Sequence, residues 1–303
     1  MSKNSILIVG GTGFIGFHLA KNCIKKNWKV TCVSTSSPTN NRRIRDAKYI
    51  ITDISDKKKL SKSIKKKYDY VVNLGGYVDH KNKKKTYKSH YIGCKNLINV
   101  LKDKTPKVFL QMGSSLEYGK NISPLKENYK CEPTSIYGKS KLLATEYLLK
   151  KYRKEQFPIV VLRLFQAYGP HQDINRLIPI VIDGCIKNIK FACTSGRQLR
   201  DFIYIDDVLK AIFFSLKDKK ALGNIFNIGF GKPKKINYVI KKINSILKSG
   251  MPQFGKIKMR KDEIESIYPD IKKAKKLLKW RPKISFNKGL IKTIKYYLDY
   301  ERR

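Results

Sequence analysis

Carboxylates are the scarcest charged groups in this chain. Among 303 residues, 23 Asp and Glu face 66 Lys and Arg, a formal net charge of +43, which makes nucleic acid the first partner to consider. Arginine is scarce as well. Of the 66 basic residues 54 are Lys and only 12 are Arg, whereas bidentate readout of phosphates and bases favours the guanidinium fork. The excess is spread along the chain: +17 over residues 1–100 (22 basic, 5 acidic), +10 over 101–200 (18 and 8) and +16 over 201–303 (26 and 10). No tail or arm carries it. A diffuse positive field attracts any anionic metabolite, and no specific nucleic-acid partner is expected.

Long apolar runs are missing too. No stretch approaches the ~18–20 residues that span a bilayer, because Lys, Arg or Asp interrupts each one first. No membrane insertion is expected. The strand-like run Ser5–Val9 comes almost at once and leaves no room for the charged and apolar regions of a signal peptide, so the expected compartment is the cytoplasm. Six cysteines (Cys23, Cys32, Cys94, Cys131, Cys185 and Cys193) form no C-x-x-C pair and read as reduced thiols packing as small apolar residues. Neither a disulfide nor a metal site is expected. An apolar fraction of 41% still suffices for a buried core.

What is present is a rhythm of short β-branched runs and longer helical segments. Strands are expected at Ile6–Val9, Val30–Ser34, Tyr49–Thr52, Tyr70–Leu74, Val108–Met112, Ile159–Leu164 and Ile225–Ile228, with helices at Phe14–Lys26, Leu60–Lys67, Tyr87–Lys102 and Tyr137–Arg153. The pattern is that of an α/β fold, a doubly wound parallel (Rossmann) sheet with right-handed crossovers. After Pro170 the rhythm breaks, and a smaller, interleaved C-terminal lobe is expected. Residues 1–169 would form the dinucleotide domain, 201–230 would return to it, and 170–200 with 231–303 would form the substrate lobe.

Between the first strand and first helix lies Gly10-Gly11-Thr12-Gly13-Phe14-Ile15-Gly16. In that context the first Gly permits a sharp turn, the second lets backbone approach a pyrophosphate, and the third packs helix against strand. A carboxylate at the end of the second strand usually holds the ribose of NAD. Here Ser34-Thr35-Ser36-Ser37 stands there, followed by Arg42, Arg43 and Arg45, which favours NADP with NAD as the alternative. Cofactor contacts are expected from Gly10, Gly13, Phe14, Ile15, Gly16, Ser34, Asp53 and Ile54.

Tyr137 and Lys141 stand four apart on one helical face, and a neighbouring cation favours the phenolate, making the phenol a usable acid or base. Spacing alone proves little, since six Tyr-x-x-x-Lys pairs occur. What singles out Tyr137 is Ser114, 23 residues upstream at the end of the fifth strand, whose hydroxyl can hydrogen-bond a substrate carbonyl while the phenol transfers the proton.

With these motifs the chain resembles the extended short-chain dehydrogenases/reductases, the nucleotide-sugar epimerase/dehydratase superfamily. The motifs are Gly10–Gly16, Ser114-Ser115-Leu116-Glu117-Tyr118-Gly119, Tyr137-x-x-x-Lys141, Arg163–Pro170, Arg200–Val208 and Leu278-Lys279-Trp280-Arg281-Pro282. The resemblance implies Tyr137 as acid/base, Lys141 as its tuner and holder of the nicotinamide ribose, and Ser114 steadying the sugar carbonyl. It implies Ser115, Arg200 and Arg260 as contacts to a nucleotide-diphosphate sugar, and a homodimer. The 4,6-dehydratases of this family carry an Asp-Glu pair where this chain has Ser115 and Leu116; Glu117 comes one place late, which argues against dehydration. His90 replaces a common Asn, and Gly75-Gly76 a common Ala-Ala. His80 and His171 read as surface or hinge residues rather than substrate contacts. The expected reaction is reduction of a 4-keto-6-deoxyhexose on a nucleotide, with 4-epimerisation on tightly held NAD as the alternative.

Overall fold

A computed structural model of the chain describes residues 3–77, 82–259 and 263–301. Seven runs form one parallel sheet: β1 (Ser5–Val9), β2 (Lys29–Ser34), β3 (Lys48–Ile51), β4 (Tyr70–Asn73), β5 (Val108–Ser114), β6 (Ile159–Leu164) and β7 (Ile225–Ile228). Their spatial order is β7-β6-β5-β4-β1-β2-β3, so the chain winds outward both ways from β1. This is the Rossmann order with one strand added, and ligands of such sheets bind where the order reverses.

Among the described residues ten α-helices flank the sheet and follow it: α1 (Phe14–Lys25), α2 (Lys57–Ser63), α3 (Lys83–Tyr87), α4 (Gly93–Leu101), α5 (Ile136–Glu155), α6 (Leu177–Ile186), α7 (Ile205–Lys217), α8 (Ile236–Leu247), α9 (Lys272–Leu277) and α10 (Phe286–Glu301). Because strand side chains alternate between faces, Ile6 and Ile8 enter one core with α1 and α7, while Leu7 and Val9 enter another with α2, α4 and α5. Burial on both faces explains why these strands read as continuous apolar runs rather than alternating ones. Beyond β6 the backbone forms small sheets, among them Gln166–Tyr168 beside Phe202–Tyr204, and Leu199–Arg200 between Lys234–Lys235 and Ser266–Ile267.

Two helices differ from expectation. The Asp56 carboxylate caps Lys59 N–H, so α2 starts at Lys57 and ends at Ser63, before the Lys65–Lys67 run. The helix expected from Tyr87 begins at Lys83, capped by Asn82, and runs to Leu101 through one wide π-turn at Lys88–Ile92. Such turns are rare and often mark functional sites.

Candidate active site

A cleft of about 1120 Å³ opens at the carboxyl ends of the sheet strands. Its floor at one end is the glycine loop. Gly10 sits at φ +77°, a left-handed conformation, and a Cβ there would come 3.0 Å from the backbone of Leu74 and Gly75 at the end of β4. A Cβ on Gly16 would meet the Gly10 carbonyl oxygen at 2.1 Å, so the third glycine packs helix onto loop, and Gly11 is the one pressed against Cys32 of β2. Gly13 differs. The protein leaves its Cβ position open apart from Gly10 O at 3.4 Å, and no side chain caps α1 there. Its small size suits a ligand approaching closely, and the uncapped N–H groups of the first turn suit a phosphate. A dinucleotide pyrophosphate fits this cradle.

Phe14, Ile15, Ser34, Asp53 and Ile54 all line the same cleft. The Ser34 hydroxyl pairs with Thr12 Oγ1 at 2.9 Å, and Asp53 Oδ1 accepts from Ser55 N–H at 2.8 Å. The arginines behind the NADP expectation are elsewhere. Arg42 is clasped by Asp173 at 2.7 Å and donates to the His171 carbonyl at 2.5 Å and to the Thr12 carbonyl at 3.4 Å, while Arg43 and Arg45 line a separate pocket beside Tyr49. A guanidinium already matched to a carboxylate and two carbonyls offers little to a 2′-phosphate. The arginine half of the NADP expectation is therefore not met in the fold, while Ser34, a hydroxyl rather than a carboxylate, does line the cleft.

At the other end the cleft is lined by Ser114, Ser115, Tyr137 and Lys141. Ser114 ends β5 and caps a short turn: its Oγ accepts from Leu116 N–H at 3.2 Å, leaving the hydroxyl proton to donate into the cleft. Ser135 caps α5 through Gly138 N–H, and a Cβ on Gly138 would strike the Leu116 carbonyl at 2.4 Å. That glycine lets the start of α5, with Tyr137, lie against the Ser114 turn. Lys141 is buried, donates to the Met112 carbonyl at 2.8 Å and sits 5.8 Å from the Tyr137 ring centre. Its ammonium is thereby held between β5 and the phenol.

Two departures in the sequence turn out to be one. A Cβ on Gly76 would lie 1.8 Å from the His90 imidazole, so the glycine makes room for that ring. His90, buried in the π-turn, packs edge-on to Tyr137 with centroids 4.9 Å apart, and its Nε2 lies 3.2 Å from the Tyr77 carbonyl. Sequence reasoning noted both positions without linking them. It also gave no site role to Lys85, Gln166 or Arg176, which line the cleft.

Arg200 is not in the cleft. Its guanidinium pairs with Glu263 and donates to the Leu199 and Glu265 carbonyls. Arg260 and His80 lie outside the described residues. His171 sits at φ +61° against Phe17 and Tyr296, and burial, aided by the neighbouring His18, Lys21 and Arg42, pushes its pKa down to about 4. Among the described residues no group of three or more His, Cys, Asp and Glu could hold a metal, and no helix is long and apolar enough to cross a membrane.

A parallel sheet of Rossmann order, a glycine cradle at its switch point and a Ser, Tyr, Lys cluster in the same cleft define a dinucleotide-dependent oxidoreductase fold of the short-chain type. The NAD dependent epimerase/dehydratase family matches residues 6–229, and the chain belongs to that family. A putative UDP-glucose 4-epimerase of Methanocaldococcus jannaschii is 30% identical, covering 98% of this chain and 99% of that protein. A UDP-N-acetyl-alpha-D-glucosaminuronate decarboxylase of Bacillus cytotoxicus is 26% identical over 99% of each. The crystal structure of a UDP-glucose 4-epimerase with UDP-glucose from Thermotoga maritima superposes with a TM-score of 0.93 at 26% identity, covering 98% and 99%.

Proposed function

We propose that the chain is a nucleotide-sugar 4-epimerase that works on NAD held in the cleft. The observation that carries this reading is the convergence of Ser114, Tyr137 and Lys141 on the cleft that begins at the glycine cradle. When bound, NAD supplies a hydride acceptor and donor. The protein's part is proton handling and positioning. Tyr137 takes the proton from the sugar 4-hydroxyl and later returns it, Ser114 donates a hydrogen bond to the same oxygen, and the buried Lys141 ammonium stands beside the Tyr137 ring. Arg176 provides a guanidinium on the cleft wall for the nucleotide diphosphate. Residues 170–200 and 231–303 act as the substrate lobe, and the working form is a homodimer.

NAD rather than NADP is supported by the clasped Arg42 and by the placement of Arg43 and Arg45. Dehydration is disfavoured because Glu117, the nearest carboxylate in sequence to the absent Asp-Glu pair, is fully buried and paired with Arg163 at 2.9 Å. Reduction of a 4-keto sugar nucleotide is the second reading, favoured by Ser34, a hydroxyl where NAD enzymes usually place a carboxylate.

Denaturing the purified protein and assaying the released cofactor separates the two. Stoichiometric NAD together with conversion of UDP-glucose to its C4 epimer is the expected result. A protein that emerges empty, and oxidises NADPH only with a 4-keto sugar nucleotide, would replace epimerisation by reduction.

A further inference from the structure

Glu117 has no place in the chemistry above, yet its carboxylate is fully buried directly behind the cleft. Oε1 accepts the Ser114 backbone N–H at 2.8 Å. Oε2 accepts the Thr145 hydroxyl at 3.0 Å and Arg163 Nε–H at 2.9 Å. These partners belong to three elements: the end of β5, the middle of α5 and β6. Thr145 lies one helical turn beyond Lys141 and two beyond Tyr137 on the same face of α5. One carboxylate therefore ties the backbone of Ser114 to the helix carrying Tyr137 and Lys141.

The surroundings are shaped around it. A Cβ on Gly113 would lie 2.5 Å from Oε1, so the glycine before Ser114 leaves space for the carboxylate. Arg163 stacks over Tyr118 at 4.4 Å, and the Tyr118 hydroxyl donates to Asn227 at 2.7 Å. Arg163 Nη1 is buried without a hydrogen-bond partner among the described residues. A pair kept solely for stability would be better satisfied, since buried ion pairs seldom outperform well-packed apolar residues.

Resting on the epimerase reading above, we propose that Glu117, braced by Arg163, is a positioning residue that fixes the Ser114 hydroxyl relative to Tyr137. By holding Ser114 N–H it sets the cap in which Ser114 Oγ accepts from Leu116, and so directs the hydroxyl proton to the substrate oxygen. Through Thr145 it sets the distance of α5 from that hydroxyl.

The test crosses stability against position. Glu117→Val combined with Arg163→Leu removes the buried charges together and retains the fold, while kcat falls roughly 10–100-fold, as for an ångström-scale misplacement. KM stays within about threefold, since groups that bind the substrate are untouched. Bound cofactor keeps its wild-type stoichiometry, and the Ser114 amide, followed by hydrogen exchange, loses protection. Glu117→Gln does the reverse: Tm falls because Arg163 loses its counter-charge, while an amide oxygen still accepts from Ser114 and kcat is largely kept. The proposal is overturned if kcat tracks Tm across the two variants, or if Ser114 protection is unchanged in the double variant. A wild-type protein without sugar-nucleotide turnover sinks the functional reading instead, and the exchange measurement still decides the role of Glu117.

Discussion

The two ends of the cleft are built from different materials. At the cofactor end the working parts are backbone: three glycines, an uncapped helix N-terminus and the close approach of β1 to β4. At the catalytic end they are side chains held by neighbouring groups: the Ser114 hydroxyl by the Leu116 N–H, the Ser114 N–H by the Glu117 carboxylate, the Tyr137 ring by His90, and the Lys141 ammonium by the Met112 carbonyl. A backbone site is specified by where glycine stands, so it tolerates drift elsewhere. A side-chain site depends on contacts between distant segments, and a change on any one of them shifts the reacting oxygen.

That contrast predicts different failures at the two ends. The largest effect falls on the catalytic end: Tyr137→Phe lowers turnover by about 10²–10⁴-fold with cofactor still bound, measured by steady-state rates beside a cofactor assay. Retained turnover would remove the phenol from its role. At the backbone end, Gly16→Val fails by losing the cofactor, because its Cβ and methyls meet the Gly10 carbonyl, and overpacking of this kind costs typically 1–3 kcal/mol, about 2 here. Denaturant titration and cofactor content report it; an intact, loaded variant would show that the loop yields easily.

Two smaller effects concern His171 and Asp173, both joined through Arg42 to Thr12 of the glycine loop. Burial and the positive neighbours of His171 depress its folded pKa from 6.5 to about 4. A group that binds its proton less well when folded stabilises the protein fully above pH 6.5 and loses that contribution as pH falls from 6.5 toward 4. Discounted for partial exposure, the loss is about 2 kcal/mol. The Asp201 carboxyl, pushed up to about 6 by burial that outweighs the lowering effect of the Phe230, Gly231 and Lys232 N–H donors, acts oppositely. The His171 contribution is therefore read as a difference: Tm of His171→Asn, which tolerates the positive φ, falls less than wild type between pH 6.5 and 4.5. Equal slopes would deny the burial effect. Last, Asp173→Asn loosens the Arg42 clasp, a half-exposed pair worth about 0.5 kcal/mol. The expected signature is faster NAD release with little change in Tm.

Much of the backbone was legible in the sequence. The strand runs ended within a residue or two of the observed bounds, and the glycine loop stood where strand gives way to helix. Helix bounds set by local capping were less legible, as Asp56 and the π-turn at Lys88–Ile92 show. The partners of the arginines were less legible. Arg42 and Arg200 were read as anion ligands, and each has a carboxylate partner, Asp173 and Glu263, that lies 131 and 63 residues away. In a chain so short of acids, those few carboxylates decide which guanidinium groups remain available.

The sequence by itself determined the alternation of strands and helices, the glycine cradle and the identities of Ser114, Tyr137 and Lys141, because these depend on local periodicity and on residue types that no substitute matches. Only the tertiary structure decided the rest. It seated His90 in the space Gly76 leaves, buried Glu117, one place past the dehydratase pair, against the Ser114 backbone, and turned Arg42 from ligand into clasp. Each of those outcomes is a pairing between segments far apart in the chain, and the free energy of such a pair depends on burial and partner geometry that no local pattern encodes.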